Sequence, residues 1–118
     1  MVFTLETAIS ELRKAVPAFP IDSEWEQDKL SYLAYNDFAR FICSEAEVLH
    51  YLAPDEEASE FSQVPVCMRF LESALEQGNP EVRDLISDCV CTLSSCQWGT
   101  QIKRWAGPQI SAIWPGVP

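Results

Sequence analysis

Apolar side chains recur every third or fourth position through four stretches of this chain. That spacing puts them on one face of an α-helix. Leu5, Ala8, Ile9, Leu12 and Val16 form one such stripe. Ala34, Phe38, Phe41, Ile42, Leu49 and Leu52 form a second, interrupted by the acid Glu45. Cys67, Phe70, Leu71, Ala74 and Leu75 make a third, and Val82, Leu85, Ile86, Cys89, Leu93 and Cys96 a fourth. Strict apolar–polar alternation and Asn-Gly hairpin turns, the marks of strands, are missing. The expected fold is all-α: one domain over 1–118, a compact bundle of five to seven helices. A chain of this length buries roughly 60–70% of its unfolded surface, enough for one core without metals or disulfides.

Helix boundaries follow from the residues between the stripes. Thr4 is placed to cap the first helix, Arg13 and Lys14 complement the dipole at its end, and Pro17 stops it. An acidic loop follows, anchored by Phe19 and Trp25. Ser31 to Ala53 reads as two helices broken near Cys43-Ser44, with Ser44 and Glu47 as a capping box. Asp55 to Gln63 reads as a surface loop with Phe61 tucked inward. Pro65 opens the next helix and Gly78 closes it; Asn79, Pro80 and Glu81 are a cap, a first position and a first-turn acid. So short a join requires a tight antiparallel helical hairpin. Beyond it lie two short helices, Thr100 to Ala106 and Pro108 to Trp114. This Trp-rich tail, with Trp98, Trp105 and Trp114, is expected to dock on the bundle, since each indole can bury roughly 200 Å2.

Charge narrows the partners. Eighteen acidic against eight basic residues give a net charge of -10. Nucleic-acid binding needs Lys and Arg to displace phosphate counterions, and an anionic membrane repels such a chain. No apolar run approaches the roughly 18–20 residues that span a bilayer. The start of the chain lacks the basic and apolar regions of a secretory signal, and five cysteines is an odd number. Both features point to free thiols in a reducing cytoplasm.

The chemically suggestive groups have plainer readings. Cys89-x-Cys91 with Cys96 lacks the two-residue spacing of a zinc knuckle, and Cys89 and Cys96 read as small core residues. Cys91 points off the apolar stripe and is the candidate reactive thiol. His50, the one histidine, stands near a helix end with no nucleophile motif to serve. The carboxylate pairs Asp84/Asp88, Glu72/Glu76 and Glu56/Glu57 read as solvated faces, and each glycine punctuates a join. The expectation is a protein without catalytic, metal or cofactor site, not an enzyme.

What remains is a binding surface. Glu72, Glu76, Glu81, Asp84 and Asp88 are expected on the outer faces of the hairpin, with Glu56, Glu57 and Glu60 on the loop leading into it. Clustered, these acids fit a basic protein partner, and Trp98 is the candidate aromatic anchor. The alternative is a self-associating structural or regulatory domain, joined through Trp98, Trp105 and Trp114. The expected state is a monomer or weak homodimer.

Three segments carry a resemblance: Phe70-Leu-Glu-Ser-Ala-Leu-Glu-Gln-Gly-Asn-Pro-Glu-Val-Arg-Asp-Leu-Ile86, Ile102-Lys-Arg-Trp-Ala-Gly-Pro-Gln-Ile110 and Tyr35-Asn-Asp-Phe-Ala-Arg-Phe41. Together they make up 33 of the 118 residues, about a quarter of the chain. They resemble a group of small acidic bacterial helical proteins of unknown biochemistry, themselves similar to immunity proteins that neutralise a co-produced toxin. The resemblance implies an inhibitor that occludes a basic toxin. It implies no catalytic residue.

Overall fold

The computed structural model describes residues 4–21, 31–51 and 62–115, without the side chains of 49 and 50. Trp25 and Phe61, expected as anchors, lie outside the described residues. Six helices occur among those described: α1 (Ala8–Ala15), α2 (Ser31–Tyr51), α3 (Val64–Gln77), α4 (Pro80–Ser95), α5 (Gly99–Lys103) and α6 (Pro108–Ile113). None of the described residues forms a strand, and the fold is all-α. The radius of gyration, 13.7 Å, matches the roughly 13.5 Å of a close-packed chain of this length.

The first helix opens later than Thr4 predicts. Residues 5–7 make a separate turn, closed at both ends by hydroxyls. The Thr4 N–H donates to Thr7 Oγ1 (2.9 Å), and the Thr7 N–H donates to Thr4 Oγ1 (3.3 Å). Ala8, Ile9 and Leu12 then face the core, with Val16 at the C-cap.

The expected break at Cys43-Ser44 is absent: α2 runs unbroken for 21 residues. No glycine or proline interrupts it, and Ala34, Tyr35, Phe38, Ala39, Ile42 and Ala46 form one buried stripe across both halves. Ser44 is exposed and caps nothing. The helix is tied by two long-range bonds to the start of α1 and to the turn before it. Tyr35 Oη, fully buried, donates to the Ala8 carbonyl (2.8 Å), and Ser31 Oγ donates to that of Leu5 (3.1 Å).

Phe38 is the aromatic hub. Its ring lies 5.2 Å from Phe19, 6.1 Å from Tyr35, 6.2 Å from Phe70 and 6.5 Å from Phe41. It meets Tyr35 and Phe70 edge-on, the arrangement the ring quadrupole favours. One side chain thus joins α2, α3 and the loop after α1.

The hairpin forms as its punctuation predicts. Asn79 Oδ1 accepts the Val82 N–H (3.0 Å), capping α4, while the Gly78 N–H returns to the Ala74 carbonyl (2.8 Å). Gly78 has an ordinary negative φ of -79°; its lack of a side chain matters because a Cβ there would press on Val82 and stand 2.6 Å from the Ala74 oxygen. Arg83 Nη1 donates to the Leu75 carbonyl (2.6 Å), satisfying an acceptor in the last turn of α3.

The most extensive contact is between α2 and α4; α5 packs on both, and α6 packs on α3. The tail docks, though not chiefly through its tryptophans. Ile102 and Ile110 are fully buried, Trp98 and Trp114 pack on the core while half-exposed, and Trp105 is 40% exposed. The short helices present one apolar residue each per turn to the bundle, and the isoleucines take those positions.

Candidate functional site

The exposed face of α4 carries Glu81, Asp84, Asp88, Cys91 and Ser95, spaced by three or four residues along one line. Glu76, exposed near the end of α3, lies across the hairpin from its start. Among the described residues no hydrogen bond or ion pair engages the carboxylates of Glu76, Glu81, Asp84 or Asp88. The nearest cation in sequence, Arg83, is turned back onto the Leu75 carbonyl. Glu81 gains from the N-terminal end of the helix dipole. Asp84 and Asp88, four residues apart, repel each other; such pairs cost an isolated helix about 0.2–0.5 kcal/mol. A cation brought by a partner removes that penalty.

Glu72 does not belong to this face, and its expected exposure is corrected. It is half-buried, and both its oxygens accept backbone N–H groups at the start of α6: Gln109 to Oε2 (2.7 Å) and Ile110 to Oε1 (3.1 Å). These donors have no partner within their own helix, so a carboxylate satisfies them and meets the positive end of the dipole. Gly107 makes the approach possible, because a Cβ there would stand 2.5 Å from the Glu72 carboxyl group. Glu72 and Glu76 are therefore not a carboxylate pair sharing a solvated face.

Glu45 acts in the same way at the start of α3, and sequence reasoning missed it. Its Oε1 accepts the Gln63 N–H (2.9 Å), while its carbonyl accepts from Ser62 Oγ (2.9 Å). The available signal was an acid interrupting an apolar stripe. Glu56, Glu57 and Glu60 lie outside the described residues.

Trp98 is the N-cap residue of α5, half-buried against the core, so only a portion of its indole is accessible as an anchor. Trp114 is similarly half-covered, which leaves Trp105 as the one clearly exposed member of the three. A continuous patch of three exposed indoles is not formed.

The cysteines divide by burial. Cys67 and Cys89 are buried, Cys43 and Cys96 half-buried, and Cys91 exposed. Burial pushes the Cys67 thiol up to about 12, with the charge of Glu45 adding to it. Burial also raises Cys89, helped by Asp88 and by the neighbouring Cys43 and Cys67. Cys96, expected as a core residue, is the C-cap of α4 and only partly covered, because the helix ends at Ser95. No group of three or more His, Cys, Asp or Glu among the described residues is arranged to hold a metal ion. The His50 side chain lies outside the described residues.

One surface cleft, about 350 Å3, opens between α1 and α3 over Val66 and Phe70, with Glu11, Lys14 and Arg69 at its rim. Lys14 stands 3.7 Å from Glu11 there. None of the hairpin acids lines it. No helix among the described residues is long and apolar enough to cross a membrane. Comparison with family models, with curated proteins and with solved structures finds no match.

Proposed function

We propose that this chain is a cytoplasmic protein-binding module of the immunity type, which presents the acidic face of α4 to a basic protein and occludes it. A co-produced toxin is the partner that best fits the resemblance. The observation that carries the reading is the line Glu81, Asp84, Asp88 on α4: exposed, like-charged, and engaged by no cation among the described residues. Evenly spread charge serves solubility alone. A line of repelling carboxylates held on a rigid helix, capped by Asn79 and braced by Arg83, is prearranged for Lys and Arg on another surface. Binding there needs no catalytic group.

The test uses a basic protein encoded beside this chain. Co-expression of the wild-type chain is expected to relieve any growth inhibition that protein causes, and a Glu81→Lys/Asp84→Lys/Asp88→Lys variant is expected not to. Equal protection by the variant, with its helical content intact, removes the acidic face from the account. The self-association reading draws less support, because the core covers much of Trp98 and Trp114.

A further inference from the structure

The walls of the cleft between α1 and α3 follow helical spacing. Glu11, Lys14 and Ala15 share one side of α1, and Val66, Arg69, Phe70 and Ser73 share one face of α3. The floor is apolar and fixed in place. Val66 packs on the core, and Phe70 is buried with its ring 6.2 Å from that of Phe38. Lys14 is paired with Glu11 at 3.7 Å. Arg69 is exposed and makes no ion pair or hydrogen bond with its side chain among the described residues. We propose that this cleft is a binding site for a small carboxylic acid with an apolar body. Arg69 holds the carboxylate, and the body lies over Ala15, Val66 and Phe70.

Charge selects the head group. With Lys14 and Glu11 offsetting each other, one positive charge in the cleft is left uncompensated, and it sits on Arg69. A guanidinium offers paired N–H donors that match the two oxygens of a carboxylate. One carboxylate balances the charge. A phosphate dianion would bring a second negative charge beside Glu11, on a chain whose net charge is already -10. Size and floor select the rest of the ligand. Small-molecule sites run roughly 300–1,000 Å3, mostly apolar with a few polar groups that fix orientation. At about 350 Å3 this cleft admits a single ring or a short branched chain. Ser73 also lines it, and its hydroxyl makes no hydrogen bond among the described residues, so it is available as a second polar contact.

The α1 side of Arg69 is favoured over its other side. A smaller cleft of about 230 Å3 also reaches Arg69, between α3 and the tail, lined by Pro65, Met68 and Trp105. Glu72 lines that cleft as well, so its carboxylate offsets the guanidinium there. Arg83 offers no equivalent site, because its guanidinium is engaged by the Leu75 carbonyl. The acids of the α4 face do not line the cleft between α1 and α3, so this site stands apart from that face and does not depend on its binding a protein.

The experiment titrates the 15N-labelled full chain with sodium phenylacetate and follows amide and arginine side-chain resonances by NMR. Phenylacetamide, acetate and inorganic phosphate serve as comparison probes. Phenylacetate is expected to give saturable shifts at Val66, Arg69, Phe70 and Ser73, with a dissociation constant on the order of 1 mM for so small a ligand. The neutral amide and the two bare anions are expected to bind at least about tenfold more weakly, since each lacks either the charge or the ring. Arg69→Gln should weaken phenylacetate by about tenfold and leave phenylacetamide unchanged, and Arg69→Lys should recover part of the loss. Ala15→Phe, which fills the cleft from the α1 side and keeps the guanidinium, should abolish the shifts; circular dichroism checks that each variant is folded. Absence of saturable shifts up to about 20 mM phenylacetate overturns the proposal. So does equal binding of phenylacetamide, acetate or phosphate, or saturable shifts confined to another part of the surface.

Discussion

The Glu72 carboxylate and the Gln109 backbone N–H meet at 2.7 Å, joining α3 to the start of α6 across 37 positions of sequence. With Ile110 as the second donor, this carboxylate gives the tail a polar attachment beside the apolar one from Ile110 itself. Glu45 and Gln63 repeat the relationship between α2 and α3. Helices of this fold are thus capped by acids from their neighbours, and some of the chain's negative charge is internal architecture.

Glu72→Ala is expected to destabilise the chain by about 1–2 kcal/mol, because two donors at a helix start lose a charged acceptor. Urea unfolding measures the loss, and hydrogen exchange at Gln109 and Ile110 localises it. Gly107→Ala is expected to expose the same two amides by displacing the carboxylate. The two changes share one interaction, so their combined cost should fall well short of the sum.

The helices themselves are legible in the sequence; these attachments are not. The stripe from Val82 to Leu93 and the Asn79 cap are local patterns, and the structure keeps them. Glu72 looks like any solvated helix acid until α6 is placed beside it, since its partners are 37 and 38 residues away. The expected break in α2 has the same origin. Ser44 and Glu47 match a capping box, yet an uninterrupted stripe packed on α4 favours one continuous helix. On the acidic face, Glu81, Asp84 and Asp88 are readable because the opposite side of α4 is so plainly apolar.

Phe38→Ala is expected to cost about 3–5 kcal/mol, the range for deleting a buried aromatic ring. Four rings lose their common neighbour, and α2, α3 and the loop after α1 lose a shared contact. Thermal unfolding reads the effect. A loss below about 1 kcal/mol would mean that the surrounding rings close the gap.

Alkaline pH is expected to destabilise the fold from about pH 9 upward. Burial raises the Cys43 and Cys67 thiols from 9.0 to about 12, and raises the Tyr35 hydroxyl above its ordinary 10.0. Above pH 9 the unfolded chain releases these protons first, so it binds fewer protons than the folded chain and unfolding becomes easier as pH rises. The contribution is fully present below pH 9 and is lost progressively toward pH 12. Urea midpoints measured from about pH 7 to about pH 11 in reductant should fall across the upper end of that range. A flat profile would contradict the burial of these groups.

The most direct test of the acidic face is its affinity for any basic protein encoded beside this chain, measured by titration calorimetry at about 0.05 M and about 0.5 M salt. Wild-type binding should weaken at least about tenfold at the higher salt, and the Glu81→Lys/Asp84→Lys/Asp88→Lys variant should lose a similar factor already at the lower one. An affinity that neither salt nor charge reversal changes would contradict the account.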